Sequence, residues 1–134
     1  MTSGEHPRVL LDTHALLWAL YEPEKLSPKA RELIGNPKNT RFVSAASAWE
    51  ISTKFRIGKL PEARNLLTDY QGNIQRFMGT EMPISTAHSL KAGSFSQPHR
   101  DPFDRMLAAQ SLLEGIPLLT ADQALSSFPV QIVW

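Results

Sequence analysis

The sequence predicts an α/β fold: a central, mostly parallel sheet flanked by helices on both faces. Three observations lead there. Short apolar runs alternate along the chain with segments whose apolar residues recur at helical spacing. The punctuation between them is of the helix-starting and helix-stopping kind, with Ser-Pro and Asp-Pro before helical segments and Gly after them. The first apolar run, "RVLL", ends directly in an acid, Asp12. With 134 residues, and no repeat, low-complexity tract or long linker, the chain suits one domain. We expect that domain over residues 8–134, after a flexible tail at 1–7.

The elements follow in order. "RVLL" (8–11) is a buried strand, and "HALLWAL" (14–20) a helix. "SPKARELI" (27–34) starts a helix with Ser27 as N-cap and Pro28 at its first position. "RFVSA" (41–45) is a second strand and "ASAWEISTKFRI" (46–57) a helix stopped by Gly58 and then Pro61. Residues 65–78 read as a weaker helix with Gly72 inside. "EMPIS" (81–85) is a short or edge strand, because its Pro cannot donate to a ladder. "TAHSLKAG" (86–93) is a helix, and "PFDRMLAAQSLLEG" (102–115) the strongest one, ended by Gly115 and Pro117. "PLLT" (117–120) and "VQIVW" (130–134) are the last strands. In such folds sites form outside the carboxyl ends of strands, where Asp12 and Asp122 both fall.

Composition narrows the function classes. The chain has no Cys, which excludes disulfides and Cys-ligated zinc. The first residues lack the basic lead and apolar core of a signal peptide. No apolar run nears the roughly 20 residues of a membrane span, so we expect a cytoplasmic protein with no membrane partner. Net charge is +1 and makes no case for nucleic acid by itself. Between Lys38 and Arg64, however, stand six bases (Lys38, Arg41, Lys54, Arg56, Lys59, Arg64) against Glu50 and Glu62. A basic stretch in a chain with several carboxylates at strand and helix ends reads either as a phosphate track beside a metal site or as an ordinary solvated surface.

Each acid has a bland explanation. Asp101 before Pro102 is a good N-cap, and Asp104, three residues on, favours the helix dipole. Asp12 and Asp122 each precede a helical segment, with Thr120 a competing cap. Asp104 resists this account, because its neighbours at i+3, i+4 and i+7 are Leu107, Ala108 and Ser111, and a carboxylate on a buried helix needs a partner. Glu50 resists it too, since it is mid-helix; its ordinary role would be an i,i+4 ion pair with Lys54, worth about 0.3–0.5 kcal/mol. Several carboxylates brought together repel one another unless a hard cation joins them.

Taken in order, these segments resemble the PIN-domain nucleases, and most closely the VapC-like toxins of type II toxin–antitoxin pairs. The resemblance rests on "LLDTH" with Asp12, "SAASAWEI" with Glu50, "DPFDRMLAAQ" with Asp104 and "LLTAD" with Asp122, and runs from about Val9 to Trp134. Between about Gly58 and Pro98 it rests on element order alone. It implies a PIN-like fold and an endoribonuclease dependent on Mg²⁺ or Mn²⁺, in which Asp12, Glu50, Asp104 and Asp122 are the catalytic, metal-binding acids. Asp101 ranks as cap or outer support. Thr13 and Thr120 are candidates to orient those acids or a water. His99, Arg100 and Arg105 are candidates for phosphate contact, and Lys54, Arg56 and Lys59 for the RNA backbone. The implied partners are an RNA substrate, an antitoxin protein and a second copy of the chain, with "HALLWAL" and "TAHSLKAG" supplying dimer surface. His14, Trp18 and Trp49 read as partly buried or core side chains.

A second class of function competes: a non-catalytic acidic-pocket module, either a receiver-like domain or a degenerate PIN scaffold that only binds RNA or protein. A receiver requires an Asp ending its middle strand and a Lys after a late one; the corresponding segments here are "SAAS", "ISTA" and "LLTAD". A degenerate scaffold is expected to lack an acid, and all four are present.

Overall fold

The computed structural model describes residues 6–134. Five strands form one sheet: β1 (Arg8–Leu11), β2 (Thr40–Ser44), β3 (Gly79–Met82), β4 (Leu118–Leu119) and β5 (Ile132–Val133), in the order β3-β2-β1-β4-β5. Every neighbouring pair is parallel. Seven helices connect them: α1 (Thr13–Tyr21), α2 (Pro28–Gly35), α3 (Ala45–Arg56), α4 (Arg64–Thr68), α5 (Tyr70–Arg76), α6 (Thr86–Ser94) and α7 (Pro102–Glu114), with short 3₁₀ turns at Pro23–Lys25, Pro61–Ala63 and Gln123–Ser127. None of these helices is long and apolar enough to cross a membrane.

Alternation along the strands builds two cores. Val9, Leu11, Val43 and Leu119 point to one face, where they meet Leu16, Ile51, Leu66 and Ile74 from α1, α3, α4 and α5. Leu10, Phe42 and Leu118 point to the other, against Leu107 and Ala108 of α7. A sheet buried on both faces is the condition under which parallel strands read as continuous apolar runs. The sequence order moves from β1 outward to β2 and β3, then returns to place β4 on the opposite side of β1. The crevice at such a reversal is where α/β sheets bind ligands. Here it lies between the carboxyl ends of β1 and β4, at Asp12 and Thr120.

Most helix boundaries follow local chemistry. Ser27 Oγ accepts from Ala30 N at 3.0 Å, with Pro28 opening α2. Gly115 closes α7 in the left-handed region, at φ 66°, where a Cβ is costly. The expected helix over 65–78 is instead two, α4 and α5, broken at Asp69. The Asp69 carboxylate caps α5 by accepting from Gly72 N at 3.2 Å, and a Cβ at Gly72 would collide with it. The expected tail at 1–7 falls mainly on residues outside those described. Pro7 does not belong to it, because its carbonyl accepts from Thr40 N at 3.1 Å.

Candidate active site

Asp12 is fixed from three directions. Its backbone N–H donates to Leu119 O at 3.1 Å, which extends the β1–β4 pairing to the strand end. One carboxylate oxygen accepts from Ala15 N at 2.7 Å and so caps α1. The other accepts a short hydrogen bond from Thr120 Oγ1, itself 1% exposed. The same hydroxyl oxygen accepts from Asp122 N at 3.0 Å. Burial raises the Asp12 pKa, the Thr120 and Ala15 hydrogen bonds oppose that shift, and nearby His14 lowers it while Glu50 raises it.

Glu50 projects from α3 and is 4% exposed. Lys54, one turn on, holds its Oε2 at 2.5 Å. The i,i+4 pair expected from spacing is thus present, but on a buried carboxylate, where removing the partner costs far more than at a surface. Ser47 Oγ, one turn before Glu50, lies 3.0 Å from Thr13 Oγ1 and ties α3 to the start of α1. Sequence reasoning alone misses Ser47. Its spacing of three from Glu50, on one face of a helix, is the signal that points to it.

Asp104 stands at the start of α7. Asp101 caps that helix, its Oδ1 accepting from Phe103 N at 2.8 Å and Asp104 N at 3.2 Å. The capping duty therefore belongs to Asp101 and leaves the Asp104 carboxylate free to face the interior. There its Oδ2 lies 2.8 Å from His99 Nε2. Burial pushes the Asp104 pKa up to about 6, against the His99 hydrogen bond, with Asp101 and Glu50 adding repulsion. Asp12, Glu50 and Asp104, from β1, α3 and α7, thus share one electrostatic neighbourhood, in which Glu50 is felt by both aspartates.

Two expected phosphate contacts are otherwise engaged. His99 is paired to Asp104, with its ring edge-to-face on Phe128 at 5.5 Å. Arg105 turns away from solvent and donates to four carbonyls, Ala92, Phe95, Gln97 and His99, at 2.7–3.0 Å. A planar fork with five N–H groups suits that role. In the expected basic stretch, Arg41 is 4% exposed and donates to the Ile34, Asn36 and Met78 carbonyls. Arg56, Lys59 and Arg100 are exposed and make no ion pair among the described residues.

Asp122 differs from the other three acids in its exposure. It is exposed, and its Oδ1 accepts from Ala124 N at 2.9 Å to cap the 3₁₀ turn. It joins Asp12, His14, Trp18 and Ala121 around a cavity of about 280 Å³. His14 is exposed, not the partly buried side chain expected of it, and Trp49 is 57% exposed, not the core side chain expected of it. Trp18 does pack on the core, with Trp134 at 5.8 Å.

Among the described residues no three His, Asp or Glu side chains form a ready-made metal cluster. Each carboxylate is satisfied separately: Asp12 by Thr120, Glu50 by Lys54, Asp104 by His99. The donor set still fits a hard divalent cation. It is all oxygen, it is largely buried, and its negative charges exceed the cations facing them, which is what Mg²⁺ or Mn²⁺ sites offer.

Residues 9–130 match the model of the PIN domain, and the chain belongs to the PIN domain family. Within that family, the chain is 37% identical over 71 residues to Ribonuclease VapC16 of Mycobacterium tuberculosis (strain ATCC 25618 / H37Rv), an alignment covering 49% of each. The chain thus spans about half the length of that curated relative. Its fold is similar to that of a chain in the crystal structure of VapBC2 from Rickettsia felis bound to a DNA fragment from their promoter, with TM-score 0.69, 15% identity, and 95% and 98% of the two chains covered. DNA-bound VapBC of Salmonella typhimurium gives TM-score 0.69 at 18% identity over 95% and 97%. The FitAcB structure from Neisseria gonorrhoeae gives 0.68 at 15% over 94% and 96%.

Proposed function

We propose that this protein is an endoribonuclease dependent on Mg²⁺ or Mn²⁺ and acts as the toxin of a toxin–antitoxin pair. The observation that carries the reading is the placement of three carboxylates on packed elements: Asp12 just after β1, buried Glu50 on α3, and Asp104 at the start of α7, with Thr13–Ser47 joining α1 to α3 and Trp49–Phe103 joining α3 to α7. The name of the mycobacterial relative and the toxin–antitoxin complexes among the structural neighbours support it.

Asp12, Glu50 and Asp104 would hold the cation, and Asp122 would close the rim of the site. A divalent cation held there would supply Lewis-acid activation of water and charge neutralisation at the phosphate. The chain's own contribution is positional. Thr120 and Ala15 N–H fix both oxygens of Asp12. Thr13 and Ser47 lock α1 to α3 and hold Asp12 and Glu50 in register. His99 orients Asp104, and Asp101 takes over the cap so that Asp104 is free. Arg100, Lys59 and Arg56 provide exposed positive charge for RNA phosphates, and Lys54 supplies the balancing charge beside Glu50. No Ser, Cys or His nucleophile is required, and phosphoryl transfer of this kind rests on positioning and electrostatics. The compartment we assign is the cytoplasm, where RNA and a partner antitoxin are available. The direct test is cleavage of single-stranded RNA with Mn²⁺ or Mg²⁺, abolished by EDTA and restored by added metal; cutting that persists in EDTA would overturn the reading.

A further inference from the structure

Trp49, exposed, and Phe103, half-buried, form an aromatic step beside the acids. Their ring centroids are 4.6 Å apart at an interplanar angle of 76°, an edge-to-face pair. Trp49 immediately precedes Glu50 on α3, and Phe103 immediately precedes Asp104 on α7. The backbone that turns the two carboxylates toward the interior therefore sets the Trp49 ring at the adjoining surface, with Phe103 half-buried against it. Trp49 remains 57% exposed. Its neighbours one turn away on α3 are Ala45, Ala46, Ser52 and Thr53, all too short to lie across an indole.

We propose that Trp49, supported by Phe103, is a stacking platform for one base of single-stranded RNA next to the phosphate being cut. This deepens the nuclease reading and rests on it. Nucleobases in unpaired RNA stack on aromatic side chains, and the platform adjoins the acids at the distance of a single residue along both helices. A protein partner fits the patch less well. A Trp side chain buries about 250 Å² at most, and this one is already partly covered, whereas a stable interface needs about 800 Å² per partner. The area matches one base.

The test crosses protein and RNA changes. Wild type, Trp49→Phe and Trp49→Ala are titrated, in EDTA at low salt, into a fluorescent single-stranded RNA and into the same RNA carrying one abasic site, moved along its length. Cleavage KM and kcat are measured in parallel with Mn²⁺. Stacking on an aromatic contributes about 1–3 kcal/mol per base, so Trp49→Ala should bind intact RNA about 5- to 150-fold more weakly. Its KM should rise with kcat changed less. Trp49→Phe should keep most of the affinity. One abasic position should weaken wild type and leave Trp49→Ala unaffected. If wild type cuts RNA and Trp49→Ala binds and cuts it with unchanged Kd and KM, the platform falls and the nuclease stands. If wild type neither binds nor cuts RNA, both fall. A Trp49→Ala variant whose light-scattering mass is lower than wild type, with RNA affinity unchanged, would place the rings in a protein interface and overturn the proposal.

Discussion

Asp101 and Asp104 are two carboxylates three residues apart with opposite duties. Asp101 accepts two backbone N–H groups and caps α7; Asp104 accepts none and faces His99 and Glu50. Asn caps nearly as well as Asp, so Asp101→Asn should change Tm by no more than a few degrees and leave cleavage within a few fold. Asp104→Asn should cut RNA orders of magnitude more slowly, and Mn²⁺ should raise its Tm less than it raises that of wild type. Near wild-type cutting by Asp104→Asn would remove this residue from the site. Asp104 also sets a pH dependence. Its folded pKa, about 6, lies above the ordinary 3.8, so between these values the folded state binds more protons than the unfolded. Stability of the metal-free protein should therefore fall as pH rises from about 4 to about 6 through this group, the reverse of a salt-bridged carboxylate. Melting Asp104→Asn in EDTA across that range should show a flatter profile. Mn²⁺ affinity should rise over the same range as the proton leaves.

At the scale of elements, the turn between α6 and α7 is held by one guanidinium. Arg105 reaches back from α7 to four carbonyls within Ala92–His99, and that segment carries His99 onto Asp104. A further tie, His88 Nε2 to Glu114 Oε2 at 2.9 Å, joins α6 to the far end of α7. Hydrogen bonds from charged donors contribute about 1.5–3 kcal/mol each, and their removal is not additive. Arg105→Met should thus cost about 3 kcal/mol by denaturant melting and reduce cleavage through a displaced His99. Arg105→Lys should recover only part, since an ammonium cannot span the same fork. Unchanged stability in Arg105→Met would return Arg105 to the set of phosphate-binding candidates.

Over the whole molecule, net charge of +1 predicts no general attraction to RNA, and binding must come from local exposed bases. Removing one cation that neutralises a phosphate of single-stranded RNA should shallow the log–log salt dependence by about 0.7. Lys59→Ala and Arg100→Ala should each do so. Lys54→Ala should not, because its ammonium is paired with Glu50; it should instead destabilise the metal-free protein by leaving a buried carboxylate alone. We predict a homodimer that also binds an antitoxin segment, with its surface drawn from α6 rather than from the buried side of α1. The apolar side of α1 lies in the core, whereas Leu90 on α6 is 71% exposed. A one-chain mass by light scattering at micromolar concentration, or a mass unchanged by Leu90→Glu in a dimer, would count against that assignment.

Local chemistry was enough for the sequence to determine the alternation of strands and helices, the start of α2 at Ser27 and Pro28, the stop of α7 at Gly115, and the family. These depend on apolar period, on caps and on short motifs, all readable within a few residues. The same holds for the Glu50–Lys54 pair, which is one helical turn. Tertiary structure alone decided which acids share a neighbourhood, because Asp12, Glu50 and Asp104 are far apart in the chain and are brought near one another only through the β1–β2 pairing and the packing of α3 and α7. It also decided where cations and rings point. Nothing local distinguishes Arg41 and Arg105, which donate inward to backbone carbonyls, from Arg56 and Arg100, which face water. Trp49 lies on a helix apolar enough to suggest burial, yet it faces out because Ser47, Glu50 and Ile51 take the inner side. A residue's period says which neighbours share its face; only the packing of the other elements says whether that face is covered.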